Sequence, residues 1–375
     1  MTQPKNSLPD RIISFIKSDQ SSQEELEVAF NQLACDIFAY QFAKNQPYRL
    51  LAQQQRRTPM TTKHWQDVPR MPIQAFKRMT LSTEDISQAA DIFYSSGTTD
   101  PVHKSQHYLS RLDVWETAMK QGFKQYVMGK RQKITILSLF PDQVANPHSS
   151  LSRYINTAIA TFGTPDSQVL FRDGAIAMAA LKGALDHART MNQPVLLIGA
   201  SFSYVHLLDA LATSDQRYPL PEGSIVFDTG GFKGQARTIS MTTLYTQLSE
   251  FFNVPRAHII NMFGMTEISS QCYDGNLLLD NDEQPFTFDK VVPAWVRIQI
   301  LDATDLKPVT KGEPGILAYY DLANWDTCLA ILTEDLAVET DVGFKLIGRV
   351  NGAAARGCSI AVDELMKSQA LGERS

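Results

Sequence analysis

The sequence predicts an α/β protein, with mixed sheets flanked by helices and a smaller β-rich part after them. Two patterns carry this. Between about residues 134 and 262, short apolar segments of strand length alternate with longer segments of helical period, as in a largely parallel sheet. After about Gly275 the helical stretches stop, and short apolar runs follow one another across turns such as Asp302-Ala-Thr-Asp305 and Lys311-Gly-Glu-Pro-Gly315. Size agrees: 375 residues at 43% apolar and 20% charged can build a large core, and are too apolar for a disordered chain.

The first ~45 residues read as helical, because Ile12, Ile13, Phe15 and Ile16, then Leu26, Phe30, Leu33 and Ile37, recur at helical spacing. A polar, proline-punctuated segment runs from Gln53 to Arg78. Ile134–Phe140 is a strand, Leu151–Ala160 a helix, and Val169–Phe171 a short apolar piece. Ile176–Arg189 is an amphipathic helix. Val195–Ile198, bounded by Pro194 and Gly199, is a strand. Phe202–Leu211 is helical, Ser224–Phe227 a strand, Leu244–Phe252 a helix and Ala257–Met262 a strand. The β-rich part contributes Val296–Leu301, Gly315–Tyr320, Cys328–Thr333 and Gly343–Ile347. The expected division is 1–280 and 281–375.

Several function classes are excluded at this stage. A net charge of −5 argues against a dedicated nucleic-acid binder, which needs a clustered basic surface. Four scattered cysteines without a C-x-x-C argue against a disulfide framework or zinc site. Met1 to Leu8 is polar and lacks the apolar core of a secretory signal. No apolar run approaches the ~18 residues that span a bilayer, and Lys182 interrupts the best, Ala175 to Leu185. A cytoplasmic protein without a membrane span is expected.

Four segments carry chemistry. Tyr94-Ser-Ser-Gly-Thr-Thr-Asp100, with Lys104 shortly after, can wrap N–H and hydroxyl groups around phosphate oxygens; the plain alternative is a polar loop after the strand-like Ile92-Phe93-Tyr94. Asn261-Met-Phe-Gly-Met-Thr-Glu267 follows an apolar strand, where ligands of open α/β sheets sit. An aromatic there can stack on a base, a hydroxyl can reach a phosphate, and Glu267 can hold Mg2+. The plain alternative is a strand-to-helix turn capped by Thr266. Val226-Phe-Asp-Thr-Gly-Gly-Phe-Lys-Gly234 runs a strand into a glycine pair that exposes backbone to a flat ligand, although most such turns are structural. Last come Leu332-Thr-Glu-Asp335 and Gly348-Arg349-Val-Asn351, whose weight lies in their order after the others.

In this order the set resembles the adenylate-forming superfamily of acyl-CoA synthetases, peptide-synthetase adenylation domains and luciferases. More closely, the chain resembles the bacterial acyl-protein synthetases (LuxE family) of the luminescence fatty-acid reductase complex. Those proteins have similar length, a TGG-x-K-G segment like Thr229–Gly234, and a cysteine near the C-terminus like Cys358. The resemblance implies the fold of an adenylate-forming N-terminal domain with a small β-rich subdomain and no separate C-terminal lid domain. It implies ATP and Mg2+ as cofactors, a carboxylic acid, by family a long-chain fatty acid, as substrate, and an acyl reductase subunit as partner.

Carried over position by position, Ser95, Ser96, Gly97, Thr98, Thr99 and Lys104 would hold the ATP phosphates. Gly230, Gly231 and Phe263, with the adjoining Gly264, would bracket the adenine. Thr266 would touch the α-phosphate and Glu267 would ligate Mg2+. Asp335 would bind the ribose hydroxyls with help from Arg349. Cys358 would accept the acyl group, completing a catalytic set with Lys104 and Thr266. Residues 1–280 would thus hold the phosphate and adenine turns, and 281–375 the ribose motif and the acyl-acceptor segment.

Three positions depart from the superfamily pattern: Asp100 stands where glycine is frequent, Phe263 replaces tyrosine, and Asn351 sits near the hinge aspartate. By the resemblance, the chain is expected to end about where a superfamily member would begin its C-terminal domain, a truncation that the acyl-protein synthetases share. Cys35, Cys272 and Cys328 lie in apolar contexts and are expected in the core. His148 is expected in a capping loop, with the acyl pocket as the alternative. Two other functions remain open: a ligase delivering to coenzyme A or a carrier-protein thiol, and a non-catalytic nucleotide-binding relative.

Overall fold

The computed structural model describes residues 7–18, 22–95, 104–211, 217–230, 239–278 and 286–350. Along the chain come α1 (Leu8–Lys17), α2 (Gln23–Lys44), α3 (Gln46–Gln54), β1 (Met71–Pro72), β2 (Asp91–Tyr94), β3 (Gln106–Leu109) and α4 (Leu112–Phe123). Next are β4 (Thr135–Ser138), α5 (Ser150–Phe162), β5 (Gln168–Val169), β6 (Phe171–Arg172), β7 (Ala175–Ile176), α6 (Met178–Thr190), β8 (Val195–Ala200) and α7 (Ser201–Leu211). Then follow β9 (Ile225–Thr229), α8 (Met241–Phe252), β10 (Ile259–Phe263), β11 (Cys272–Asp274), β12 (Lys290–Val291), β13 (Val296–Leu301), β14 (Pro314–Asp321), β15 (Ala330–Glu339) and β16 (Gly343–Arg349).

The chain forms two compact units. The first comprises Met1–Gln121, Met265–Ser270 and Val291–Ser375; the second comprises Gly122–Gly264 and Gln271–Lys290. In the second unit the strand order is β11-β10-β9-β8-β4-β5, parallel except for β11, which runs antiparallel to β10. Every residue of β8 is buried, which explains its uninterrupted apolar sequence. Leu181 and Leu185 of α6, Val205 and Leu207 of α7, and Leu244 and Leu248 of α8 pack in one core with Leu197, Val226 and Ile259 of the sheet. Helix α8 starts where the Ser240 hydroxyl accepts the Thr243 N–H at 3.0 Å, and stops at Asn253, whose φ of 50° is left-handed.

The first unit contains the antiparallel order β13-β14-β15-β16, with β1 parallel to β15. Its helices α1 to α3 carry the N-terminal periodicity into a buried face that includes Ile12, Phe30, Leu33 and Ile37. Buried Gln41 of α2 donates to the carbonyls of Asn324 and Trp325 at 2.8 and 3.0 Å and accepts the Leu329 N–H at 3.0 Å. Asn45 donates to the Thr327 carbonyl at 2.9 Å. These bonds satisfy backbone groups of 324–329 that have no strand partner.

The α/β expectation holds, and both units contain mixed strand directions. The plain alternative for the segment after Phe263, a strand-to-helix turn, does not form: no helix follows that strand. The chain makes a turn at 266–267 and enters β11. Strand β3 and helix α4 had no counterpart in the sequence reading.

Candidate active site

In the first unit, β2 and β3 form a hairpin that pairs Asp91 with Leu109 through Tyr94 with Gln106. Beyond Tyr94, the Ser95 N–H donates to the Ser105 carbonyl at 3.0 Å, and the Ser105 N–H donates to the Ser95 hydroxyl at 2.9 Å. This pair closes the neck of the serine/threonine/glycine loop, and Lys104 stands exposed beside it. Ser96, Gly97, Thr98, Thr99 and Asp100 lie outside the described residues, as do Gly231, Asn351 and Cys358.

The turn bearing Thr266 and Glu267 is gripped through its backbone. His107 of β3 places Nδ1 2.7 Å from the Thr266 carbonyl oxygen. Asn324 donates to the Glu267 carbonyl at 2.9 Å. Asp321, fully buried at the end of β14, accepts the N–H groups of Ser269 and Ser270 at 3.0 and 2.7 Å and the Ser270 hydroxyl at 2.7 Å. Burial pushes the Asp321 carboxyl up to about 6, against the pull of these donors. His107 is wholly buried, with the rings of Phe76 and Phe93 edge-on to it. Burial lowers its pKa to about 4, so its imidazole is neutral at neutral pH.

Glu267 is 7% exposed. Burial raises its pKa, while Ser105, its own backbone N–H, Lys77 and Arg349 favour the charged form. Among the described residues no three His, Cys, Asp or Glu side chains form a metal cluster. A lone carboxylate still fits Mg2+, which takes one or two protein carboxylates and completes its shell with water and substrate phosphate oxygens.

Asp335 and Arg349 face each other across β15 and β16, with Arg349 Nε 3.2 Å from Asp335 Oδ1. Burial raises the pKa of Asp335, and Arg349 opposes it. Preceding Arg349, Gly348 has a φ of 153°, a conformation that glycine adopts without strain. Arg349 favours the charged form of Asp335 and, more weakly, that of Glu267.

In the second unit, β9 ends at Thr229 and the chain turns at Gly230, whose φ is 77°. The Ser201 hydroxyl contacts the Gly230 carbonyl at 3.0 Å. Beneath this turn Asp228 is fully buried and accepts from Ser201 at 2.8 Å, Tyr245 at 2.7 Å and Asn261 at 3.1 Å. The Asn261 N–H donates to Asp274 at 2.7 Å, and Lys290 donates to the Asn261 carbonyl at 3.2 Å. Burial pushes Asp228 and Asp274 each up to about 6, and lowers the pKa of Lys290. Arg256 lies 3.4 Å over the Phe286 ring and 4.2 Å over that of Tyr245; burial brings it down to about 10. Phe263, at the end of β10, is 8% exposed, and Gly264 after it is exposed.

Sequence reasoning missed His107, Asp321, Asn324, Lys290 and Asp274, and quoted Asp228 without a role. An aspartate inside the apolar run Ile225-Val-Phe-Asp-Thr229 was a legible signal, since a buried carboxylate needs donors. Nothing near His107 pointed to Thr266. Of the other expected residues, Cys272 and Cys328 are buried, and burial raises the Cys328 thiol pKa. Cys35 is only half-buried on α2. His148 precedes Ser149, whose hydroxyl caps α5 by accepting the Ser152 N–H at 3.2 Å. Among the described residues no helix is long and apolar enough to cross a membrane.

The chain is similar to the long-chain-fatty-acid--luciferin-component ligase of Aliivibrio fischeri, at 21% identity over 376 residues, covering 96% of this chain and 94% of that protein. The enzyme of the same name from Vibrio harveyi is 20% identical over 366 residues, covering 95% and 93%. Among solved structures, an open conformation of 2-hydroxyisobutyryl-CoA ligase in complex with 2-HIB-AMP and CoA has a TM-score of 0.66 at 14% identity, covering 93% of this chain and 74% of the ligase. Its postadenylation state with 2-HIB-AMP has a TM-score of 0.65, also at 14% identity, covering 96% and 77%. At such identity the likeness shows a shared fold, that of an adenylate-forming ligase. The family described as "Acyl-protein synthetase, LuxE" matches residues 7–367, nearly the whole chain, and the chain belongs to that family.

Proposed function

We propose that this protein uses ATP to activate a long-chain fatty acid as an acyl adenylate. It then carries the acyl group on Cys358 as a thioester for delivery to a partner acyl reductase. Family membership and the two relatives named as fatty-acid ligases support the activation step. The observation that carries the reading is the turn of Thr266 and Glu267, clamped through its backbone by His107, Asn324 and Asp321.

In the first step a carboxylate oxygen bonds to the α-phosphorus, and the bond to the bridging oxygen breaks as pyrophosphate leaves. The protein aligns the two anions and offsets their charge. Ser95, Ser96, Gly97, Thr98, Thr99 and Lys104 hold the phosphates. The Thr266 hydroxyl meets the α-phosphate. Asp335 accepts from the ribose hydroxyls, with Arg349 orienting its carboxylate. Gly230, Gly231, Phe263 and Gly264 flank the adenine. Glu267 would hold Mg2+, which when bound offsets phosphate charge. In the second step the Cys358 thiolate attacks the acyl carbon, the bond to the AMP oxygen breaks, and the thiol proton passes to solvent. Arg356, two residues away, favours the thiolate if the segment brings them together.

The test is exchange of labelled pyrophosphate into ATP, run with and without fatty acid, together with covalent labelling by radiolabelled acid. Cys358→Ser should keep the exchange and lose the label. Persistent label would move the acceptor elsewhere. Exchange whose product appears only with coenzyme A or a carrier protein would make the enzyme a ligase for those thiols. No exchange with any of a broad panel of acids would leave a non-catalytic nucleotide binder.

A further inference from the structure

We infer that His107 is a positioning residue for the activating turn: its imidazole fixes the Thr266–Glu267 peptide plane against the strand that leaves the serine/threonine loop. The inference rests on the function proposed above and adds a residue that none of the motifs contains.

The geometry begins with β3. His107 pairs with Phe93 in the hairpin and follows Ser105, which closes the loop neck, by two residues. Its backbone is therefore tied to the phosphate-loop stem. Its ring is held edge-on by Phe76 and Phe93 in a site without solvent. Nδ1 lies 2.7 Å from the Thr266 carbonyl oxygen. That oxygen has no hydrogen, so at this distance Nδ1 carries the proton and donates it. Nε2 of the neutral ring is then the unprotonated nitrogen, and it faces the Thr327 hydroxyl at 3.5 Å.

The consequence lies one bond further on. A trans peptide is planar, with C=O and N–H pointing in opposite directions. Fixing the Thr266 carbonyl thus fixes the Glu267 N–H, and this N–H acts on the Glu267 carboxylate. His107 thereby sets both the turn that presents the Thr266 hydroxyl and the aim of the carboxylate. Asn324 and Asp321 hold the turn after Glu267; His107 holds it before.

The test uses the full-length protein and acid-dependent ATP–pyrophosphate exchange, with thermal melting alongside. His107→Leu should lower the exchange rate constant about 10- to 100-fold, the scale of a small misplacement near reacting atoms, with the fatty-acid KM unchanged within about twofold. His107→Asn, whose Nδ2 replaces the donor near the Nδ1 position, should recover about tenfold of that loss. His107→Gln, of like polarity with its amide one bond farther out, should not. This Asn/Gln pair keeps the inference testable if the leucine variant does not fold. Equal rates for Asn and Gln, or a leucine variant within about threefold of wild type, would overturn it. Nitrogen-15 NMR of the His107 ring supplies a readout independent of activity: Nδ1 should be the protonated nitrogen, and an Nε2–H tautomer would sink the inference. Wild type that shows no exchange, with the Nδ1–H tautomer present, would instead defeat the proposed function.

Discussion

The turn at 265–270 and the strand end at 228–230 both carry residues proposed to meet the nucleotide, yet they are held by opposite means. In the turn, side chains from elsewhere reach the backbone: His107 and Asn324 to carbonyls, Asp321 to N–H groups. At the strand end, side chains hold a side chain: Ser201, Tyr245 and Asn261 surround the Asp228 carboxylate, with Lys290 as counter-charge. Backbone clamps set peptide planes without using the side chains of Thr266 and Glu267. The side-chain cluster stabilises the strand beneath a glycine, whose carbonyl Ser201 also reaches. The first device is made of directional hydrogen bonds, the second of buried charge, and they should fail differently.

The largest difference should come from the charge cluster. Lys290→Met leaves two buried acids without their cation and should cost about 3–5 kcal/mol at pH 7. Asp228 and Asp274 titrate near 6, so at pH 5 they are mostly neutral and the deficit should shrink. Urea unfolding at the two pH values reads this, and a deficit independent of pH would assign Lys290 a packing role only. Asp321→Asn strands buried N–H donors of the turn and should cost about 2–4 kcal/mol. It should also depress pyrophosphate exchange in the molecules that remain folded; a stable, fully active variant would refute the backbone clamp.

His107 should contribute a pH slope. Its folded pKa near 4 lies below the ordinary 6.5, so between these values the unfolded chain binds a proton that the folded chain does not. Stability from this group therefore rises with pH across that window, by up to about 3 kcal/mol. His107→Asn should remove the slope, and its stability relative to wild type should be best near pH 4 and level off above 6.5. Gly230→Ala, at a φ of 77°, should cost about 1–2 kcal/mol by backbone strain, measurable as a lowered urea midpoint. The smallest effect belongs to Arg349→Ala. Its partner bond involves a side chain 64% exposed, so stability should change by less than about 0.5 kcal/mol, while the KM for ATP rises. A large stability loss there would make the pair a structural bridge.

Much of the architecture was readable from local pattern. The strand Val296–Leu301 appears with the bounds expected, and the helix expected at Leu151–Ala160 spans Ser150–Phe162. Apolar period is written in neighbouring residues, so any window of ten exposes it. The alternative of a strand-to-helix turn after Phe263 fails for a related reason. A threonine followed by glutamate looks like a helix start, but the N–H groups just beyond are satisfied by Asp321, about fifty residues away, and no helix is needed.

The amino-acid order thus specified the secondary elements, the α/β class and the family motifs, because each is a property of a short contiguous stretch. Which side chains steady those motifs was settled by folding. His107 and Thr266 are 159 positions apart, and Asn324 and Glu267 are 57 apart. A hydrogen bond depends on direction and on tenths of an ångström, and no local periodicity encodes either; both arise only when the strands bring distant backbone and side-chain atoms together.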